Sequence, residues 1–182
     1  MYISRSEAAI AEDRRDEVST EVARVHEFMR TMPGFRWAML AHSLETPGRF
    51  TAVSMWLSPA QASSQDGKIL GTTEARGYDV TTARGAMTPA THVALVDWQA
   101  GDDVAARFTS RWNAAYHAIE DRIGSRLLKD LDAPGHYAGL HAATDETNLD
   151  PEALGAGVRD AEGLSINPSA VHRFAVVLLT EL

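Results

Sequence analysis

Residues 40–50 read LAHSLETPGRF, and residues 127–137 read LLKDLDAPGHY. Both stretches place an acidic residue, a spacer, Pro-Gly, a basic or imidazole side chain and an aromatic ring between apolar runs. Such a Pro-Gly element between apolar runs is typical of a tight turn between two strands. Pro134 lies 87 residues after Pro47, about half the length of the 182-residue chain. The pattern predicts that one domain occurs twice in the sequence.

The segments around the two turns repeat in the same order. Each turn follows a segment with helical spacing of apolar residues and precedes a capping residue with proline, at Ser58-Pro59 and at Asp150-Pro151. Each half therefore predicts the order strand, helix, strand, strand, helix, strand. The predicted strands include residues 2–10, 35–44, 49–57, 91–99, 123–131, 136–143 and 170–182. The second helix of the first half, from Ser58, is predicted to be the weaker one.

Four details of this prediction concern exposure and boundaries. Arg5 and Glu7 indicate an exposed or edge position for the first strand. The last strand is apolar on both faces, so we expect it to be covered on both sides. Residues 83–89 are the expected linker between a first domain at residues 1–85 and a second at 90–182. The side chains of His26, His92, His136 and His172 are expected on the surface or in turns.

The predicted order is that of a ferredoxin-like unit, an antiparallel four-stranded sheet with two helices on one face. The other face of such a sheet is bare. A chain with two copies can bury both bare faces internally, as an intrachain pseudo-dimer of the α/β-barrel type. The predicted fold class is α+β, with two ferredoxin-like repeats.

Composition excludes several classes of function. The chain has 45% hydrophobic and 23% charged residues, which is ordinary for a globular protein. A net charge of −8 without a Lys/Arg cluster argues against a nucleic-acid partner. The absence of cysteine excludes disulfides and thiolate metal sites. Because no apolar run approaches the ~20 residues of a membrane span and no signal peptide is evident, we expect a cytoplasmic protein without a membrane partner.

The first half resembles the antibiotic biosynthesis monooxygenase (ABM) family of dimeric α/β-barrel domains. The resemblance rests on three short motifs: residues 32–35 (MPGF), residues 47–50 (PGRF) and residues 56–59 (WLSP). It covers residues 1 to about 85 and, through the repeat, residues 90–182 more loosely. The family includes cofactor-free oxygenases that convert anthrones to quinones, and haem-degrading enzymes. Fold is the more specific implication, and activity the less specific one.

The resemblance implies a pocket between sheet and helix in the first half. Trp56 matches the family's Trp at the end of the third strand, and His42 falls where the family's His would lie. Ala52 replaces the family's Asn, a departure from the pattern. Residues 58–76 contain no histidine, which disfavours haem degradation in the first half. A haem site formed by histidines of the second half stays open.

The second half departs further, with Lys129 and Ala143 at the positions of His42 and Trp56. Strand alternation places Tyr137, Gly139, His141 and Ala143 on the face that carries Phe50 and Trp56 in the first half. One helical turn apart, Trp112 and Tyr116 could line the same cavity, together with Asn113. We therefore predict His42, Trp56 and His141 as catalytic residues. The predicted substrate-binding residues are Phe50, Trp112, Asn113, Tyr116 and Tyr137.

This set of residues predicts a cofactor-independent monooxygenase. A base, an aromatic wall and a donor for a developing anion would let an anthrone-like, polyketide-type substrate react with O₂ to give a quinone. In that case His42→Ala and Trp56→Phe should each lower turnover tenfold or more. No metal is expected, since no His/Asp/Glu set has ligand spacing. The expected partners are a small aromatic molecule and O₂, with a further homodimer possible.

A second function of a different class is a non-catalytic ABM-like module. It would bind a small hydrophobic ligand or serve a structural role, in keeping with the missing Asn and the degenerate second copy. Trp56 and Trp112 fit this alternative as ordinary core residues. A pocket beside His42 and Trp56 would favour ligand use, and a filled core would favour a structural role.

Overall fold

The two Pro-Gly turns set the local geometry of both halves. In the computed structural model, which describes residues 1–62, 75–116 and 123–182, Gly48 and Gly135 have φ of 74° and 77°. Glycine adopts this left-handed conformation without steric cost. A Cβ on Gly48 would lie 2.9 Å from the Ile10 carbonyl oxygen, and one on Gly135 2.9 Å from that of Ala100. The same neighbours form hydrogen bonds, from Ile10 N to Gly48 O (2.7 Å) and from Ala100 N to Gly135 O (2.8 Å).

A buried acceptor completes each turn. The Ser43 hydroxyl accepts from the backbone N–H groups of Glu45 and Thr46, at 3.2 and 3.0 Å. In the second half, Asp130 Oδ1 accepts from the N–H groups of Asp132 and Ala133, at 2.8 and 3.0 Å. Ser43 and Asp130 are separated by the same 87 residues as the two prolines. The repeat seen in the sequence is thus a repeat of hydrogen bonding.

The helices and strands follow the predicted order closely. The strands are β1 (Tyr2–Ala9), β2 (Phe35–Ser43), β3 (Arg49–Trp56), β4 (Ala75–Gly85), β5 (His92–Gln99), β6 (Gly124–Asp130), β7 (His136–Ala143), β8 (Val158–Arg159), β9 (Ser165–Ile166) and β10 (Pro168–Glu181). The helices are α1 (Arg15–Arg30), α2 (Ala105–Tyr116) and α3 (Pro151–Gly155). Pro59–Gln61 forms a short 3-10 turn where the weaker helix was predicted. The remainder of that predicted helix lies outside the described residues.

The chain forms two compact units, Met1–Asp79 with Phe174–Leu182, and Val80–Arg173. In the first unit the sheet order is β4, β1, β3, β2, with the end of β10 beside β2. In the second unit the order is β10, β5, β7, β6, with the end of β4 beside β6. Each order is that of a ferredoxin-like sheet, in which the first and third strands are central. The prediction of an α+β fold with two ferredoxin-like units is confirmed.

The unit boundaries differ from the expected 85/90 division. They fall inside β4 and β10, so the last nine residues belong with the first unit. Residues 83–85, expected in a linker, are the end of β4. The Arg126 guanidinium holds this end by donating to the carbonyl oxygens of Arg84 and Gly85, at 2.5 and 2.9 Å. The strand thus extends into the first three residues of the expected linker.

The prediction of an edge position for β1 is wrong. β1 pairs with β3 on one side and with β4 on the other. Its charges are tolerated because they are paired, Glu7 with Arg5 and, at 2.6 Å, with Arg49. Burial raises the pKa of Glu7, but the two guanidinium groups outweigh it and lower that pKa below its ordinary value.

Two further expectations about exposure need correction. His26 is buried beneath α1, and its Nδ1 lies 3.2 Å from the Thr180 hydroxyl of β10. Desolvation lowers the pKa of His26 from 6.5 to about 4. In β10, Phe174 alone is fully buried, and the following residues keep intermediate exposure. Val177 and Leu178 of that strand pack against the apolar cluster of α1, β2 and β3.

Two features are absent from the described residues. None of the helices among them is long and apolar enough to cross a membrane. Within the same residues, no group of three or more His, Asp or Glu side chains is arranged to hold a metal ion.

Candidate functional site

In the first unit, the helix-facing side of the sheet carries the predicted residues. The pairing of β2 with β3 places His42 opposite Phe50, Leu40 opposite Ala52 and Ala38 opposite Ser54. Directly opposite residues share one face of a sheet. His42, Phe50 and Trp56 therefore lie on the same face, which alternation predicted for Phe50 and Trp56.

Trp56 is a core residue of this unit. Its side chain is fully buried and packs edge to face on Phe35, with ring centroids 5.3 Å apart, beside Met29. The indole Nε1 donates to the Ser54 hydroxyl at 2.8 Å. The single polar atom of the indole is thus already satisfied within the protein.

His42 lies at the other end of the same face. It is half-buried, its Nδ1 is 3.2 Å from the Ser43 carbonyl oxygen, and its ring contacts Phe50. His42 pairs with Phe50, six residues before Trp56 on β3. At about 3.3 Å per residue this separates His42 from Trp56 by roughly 20 Å. The structure does not bring the two predicted catalytic residues of the first unit together.

The second unit gathers its predicted residues into one cluster. The His141 ring stacks against Trp112 at 5.5 Å and lies against Tyr116 at 5.1 Å between centroids. Trp112 and Tyr116 stack on each other at 5.2 Å, one helical turn apart on α2. The exposed fractions of these side chains are 0% for His141 and Trp112 and 3% for Tyr116. An imidazole is therefore enclosed by aromatic rings and away from water.

The cluster extends along the helix. Phe108 of α2 contacts Tyr137 of β7, with centroids 5.2 Å apart. Phe108 also contacts Trp98 of β5 at 5.6 Å, and Trp98 reaches Tyr116 at 5.7 Å. We call Trp98, Phe108, Trp112, Tyr116, Tyr137 and His141 the aromatic cluster.

Trp98 was not among the predicted site residues. The signal was available, because alternation along β5 places Ala94, Val96 and Trp98 on one face, and the structure finds all three in the apolar core under α2. Alternation does not show that Trp98 contacts Tyr116, because the two residues lie on different elements and are far apart in sequence.

Three polar atoms matter in and beside the cluster. Tyr116 donates its hydroxyl hydrogen to the Leu154 carbonyl oxygen at 3.0 Å. Trp98 Nε1 and Asn113 Oδ1 are buried and have no hydrogen-bond partner in the structure as described. Leaving a buried donor or acceptor unpaired costs about 1–3 kcal/mol. An indole N–H and an amide oxygen are thus available to a ligand.

Gly139 allows the rings to approach the sheet. A Cβ at this position would lie 2.9 Å from His141 Nε2 and 3.3 Å from Trp112 Cζ2. The contact with His141 is too close for a carbon atom, and the contact with Trp112 is tighter than usual beside buried rings. The absence of a side chain here therefore fixes how closely His141 and Trp112 pack on β7.

A haem group does not fit the first unit. Residues 58–76 contain no histidine to serve as an axial ligand. In the second unit, aromatic rings lie against His141 at the distances given above, and Gly139 is beside its Nε2. An imidazole enclosed in this way does not fit the role of an axial ligand to haem.

The comparisons with known proteins agree with this architecture. The family model described as antibiotic biosynthesis monooxygenase matches residues 1–64. None of the curated proteins matches the sequence. A candidate monooxygenase of Lactobacillus acidophilus NCFM aligns with a TM-score of 0.72 and 11% identity, over 99% of this chain and 95% of that chain. A second candidate monooxygenase, from Fusobacterium nucleatum, aligns with a TM-score of 0.76 and 7% identity, over 99% and 94%.

An anthrone oxidase-like protein is also similar, with a TM-score of 0.60 and 8% identity, over 99% of this chain and 92% of that chain. Identities this low show a shared fold and no more. The resemblance read from the sequence is confirmed, and the chain has the fold of a monooxygenase-like family.

Proposed function

We propose that this chain is a cofactor-independent monooxygenase that oxidises an anthrone-like aromatic to a quinone with O₂, and that its reactive site is the aromatic cluster of the second unit. The observation that carries the proposal is the buried His141 ring lying against Trp112 and Tyr116. An imidazole serves as a base near neutral pH, and aromatic walls accept a flat substrate. The partners are then a small aromatic molecule and O₂.

The overall reaction balances without an added reductant. One CH₂ group of the substrate becomes C=O, one atom of O₂ enters the product, and the other leaves as water with the two hydrogens. The substrate supplies the four electrons that reduce O₂ in total. The protein needs only to move protons and to stabilise the anions.

His141 is the proposed base. It removes a proton from the CH₂ carbon, and the carbanion passes one electron to O₂. The substrate radical and superoxide then join through a new C–O bond, and the proton returns from the imidazolium to the peroxide. Loss of the second hydrogen as a proton, with cleavage of the O–O bond, gives the ketone and hydroxide, which takes that proton to become water.

Trp98 and Tyr116 are the proposed donors to the negative charge on the substrate oxygen. The Trp98 N–H has no partner in the described structure, so it can donate to the substrate without losing another bond. Donors fixed in advance in a dry site stabilise an anion more than the same donors do in water. Asn113 Oδ1 could accept from a phenolic hydroxyl of the substrate.

The test is oxygen uptake by purified, metal-free protein with 1,8-dihydroxyanthrone under ¹⁸O₂. The proposal requires enzyme-dependent uptake of one O₂ per quinone, with one labelled atom in the new carbonyl group. Uptake that yields hydrogen peroxide and an unlabelled quinone would show an oxidase instead. No uptake above the uncatalysed rate would reject the catalytic proposal.

A second candidate is an ABM-like module that binds a hydrophobic ligand without reacting with it. The observations in its favour are the distance between His42 and Trp56 and the filled aromatic core. Tryptophan fluorescence quenched by 1,8-dihydroxyanthraquinone, without oxygen uptake on the anthrone, would identify this function.

A further inference from the structure

The aromatic cluster has a cover that belongs to the same unit. We call residues 145–166 the cover segment. It contains a 3-10 turn at Glu146–Leu149, helix α3 and the short pair β8 and β9. Leu149, Leu154, Val158 and Leu164 of this segment are buried in one cluster with Phe108, Trp112 and Tyr116. The segment thus packs on the residues to which a substrate would bind.

One contact of the cover segment has the chemistry of a bound ligand. The Leu154 carbonyl oxygen accepts the Tyr116 hydroxyl hydrogen at 3.0 Å. An anthrone presents the same group, a carbonyl oxygen beside a flat apolar body. Leu154 supplies both the oxygen and an apolar side chain against the cluster.

Ion pairs from Arg107 and Arg111 fasten the segment to α2. Arg107 donates to both carboxylate oxygens of Asp160, from Nη2 to Oδ1 and Oδ2 at 2.9 and 2.8 Å and from Nε to Oδ2 at 3.2 Å. Arg111 Nε lies 4.0 Å from the same carboxylate, whose side chain is 2% exposed. The hydrogen bond from the backbone N–H of Leu164 lowers the pKa of Asp160 below its ordinary value, and the hydrogen bond from Arg107 lowers it further. The carboxylate therefore stays ionised at neutral pH and holds the turn between β8 and β9 on the helix.

The elements of the segment are short. α3 has five residues, and β8 and β9 have two each. Elements of this size have few hydrogen bonds of their own and open more easily than the central strands of a sheet. Opening of the segment would break none of the strand pairing among β5, β6 and β7.

We propose that the cover segment occupies the substrate site of the second unit in the free protein, and that a flat aromatic carbonyl compound displaces it from Tyr116 and takes its place. This inference rests on the proposed location of the site, but not on catalysis. Binding then requires opening of the segment, and Arg107 with Asp160 sets how often it opens.

The absence of cysteine allows a direct test. In Leu164→Cys, the only thiol lies on the buried side of the cover segment, because Leu164 is nearly inaccessible to water. A thiol reagent should react slowly with this thiol in the free protein. It should react at least about tenfold faster when the protein is saturated with 1,8-dihydroxyanthraquinone, because a buried thiol reacts only while its segment is locally open. The matched control is Val22→Cys, a fully buried position of the first unit, whose reaction rate should not change.

The outcomes separate this inference from catalysis. Faster reaction in Leu164→Cys alone supports displacement, whether or not the anthrone is oxidised. An unchanged or slower rate while fluorescence reports bound quinone would overturn the inference and leave the proposed reaction standing. No binding of the quinone at all would overturn it as well.

The ion pair of Arg107 with Asp160 is tested separately. Arg107→Gln in the Leu164→Cys background should speed the reaction of the thiol in the free protein about fivefold, the scale of one lost ion pair. Arg30→Gln, which breaks the exposed pair of Arg30 with Glu27 on α1, is the control for the loss of charge. Equal effects of the two variants would show that the ion pair of Arg107 with Asp160 does not control opening of the cover segment.

Hydrogen exchange of the unmodified chain provides a second measurement if Leu164→Cys does not fold. Bound quinone should speed exchange in peptides covering residues 149–166 and leave peptides of residues 15–30 unchanged. Slower exchange across 149–166 would mean that the ligand stabilises the cover segment, which contradicts displacement.

Discussion

The two units share their turns and sheet order but use their polar residues differently. In the first unit, Trp56 donates to Ser54. In the second unit His141 stands 87 residues after Ser54, inside an aromatic cluster that includes the unpaired Trp98 N–H. The indole N–H of Trp56 is thus paired within the first unit, whereas the second unit encloses an imidazole near an indole N–H that has no partner in the described structure.

The turns show the same contrast on a smaller scale. Arg49 pairs with Glu7 in the first unit at 2.6 Å. In the second unit His136, 87 residues later, lies 3.1 Å from Asp130 and 3.7 Å from Asp97. A permanent cation in one copy is replaced by an imidazole in the other, while the acidic partner is kept.

The largest expected difference between the units is in turnover. His141→Ala should lower anthrone oxidation by at least about 100-fold, since general bases contribute about 10²–10⁴. His42→Ala should change it less than about twofold, because His42 lies far from Trp56 and outside the cluster. This replaces the tenfold loss expected for His42 from the sequence. Oxygen uptake by both variants measures the two losses of turnover. A greater loss in His42→Ala than in His141→Ala would place the reactive site in the first unit.

The next difference concerns His26, the only titratable residue in the buried stripe of α1. The unfolded chain binds a proton near pH 6.5, whereas folded His26 does so only near pH 4. Stability should therefore be complete above pH 6.5 and fall between pH 6.5 and 4 by about 3 kcal/mol, at 1.36 kcal/mol per pKa unit. Urea unfolding at pH 7, 5.5 and 4 measures it. His26→Asn should flatten the pH dependence of the free energy of unfolding. An equally steep dependence in that variant would show that another group causes it.

Gly139 and its counterpart Ala52 provide a matched pair on the two sheets. Gly139→Ala should destabilise the protein by about 1–3 kcal/mol, because the new Cβ overlaps the positions of His141 and Trp112. Ala52→Gly removes a Cβ that fits, and should cost about 0.5–1 kcal/mol. Denaturant unfolding compares the two free energies. A neutral Gly139→Ala would show that the rings can move away at no cost.

The smallest expected effect is that of the Glu7 pair. The pKa of Glu7 lies below its ordinary value, so its ionised form stabilises the fold above about pH 4.5 and this contribution is lost as the pH falls further. Glu7→Gln should cost on the order of 1 kcal/mol at pH 7 and less at pH 3. Asp97→Asn is the comparison in the second unit. Equal losses at both pH values would show that packing, not charge, makes the contribution of Glu7.

Much of the fold was predictable because it depends on local sequence. The Pro-Gly turns were predictable, and the strands β2, β3 and β7 were predicted to within one residue of their observed bounds. The position of β1 and the continuation of β4 were not, because they depend on which strands pair with them. Arg5 and Glu7 look like edge residues until Arg49, 42 residues after Glu7, is seen beside them.

The candidate site shows the same division. Alternation placed His141 on the helix side, and helical spacing placed Trp112 beside Tyr116. The family resemblance suggested that His42 and Trp56 act together, but the strand register separates them. Trp98 and the cover segment had no local signal that tied them to the site.

The sequence by itself determined that one ferredoxin-like unit occurs twice, because turns and periodicity involve neighbours along the chain. It also determined which face of each strand carries the aromatic and imidazole side chains. Only the tertiary structure decided which of these side chains meet, because register and packing join residues that are far apart in sequence. That is why Trp98, Leu154 and His141 meet around Tyr116 only once the strands, the helix and the cover segment are in place.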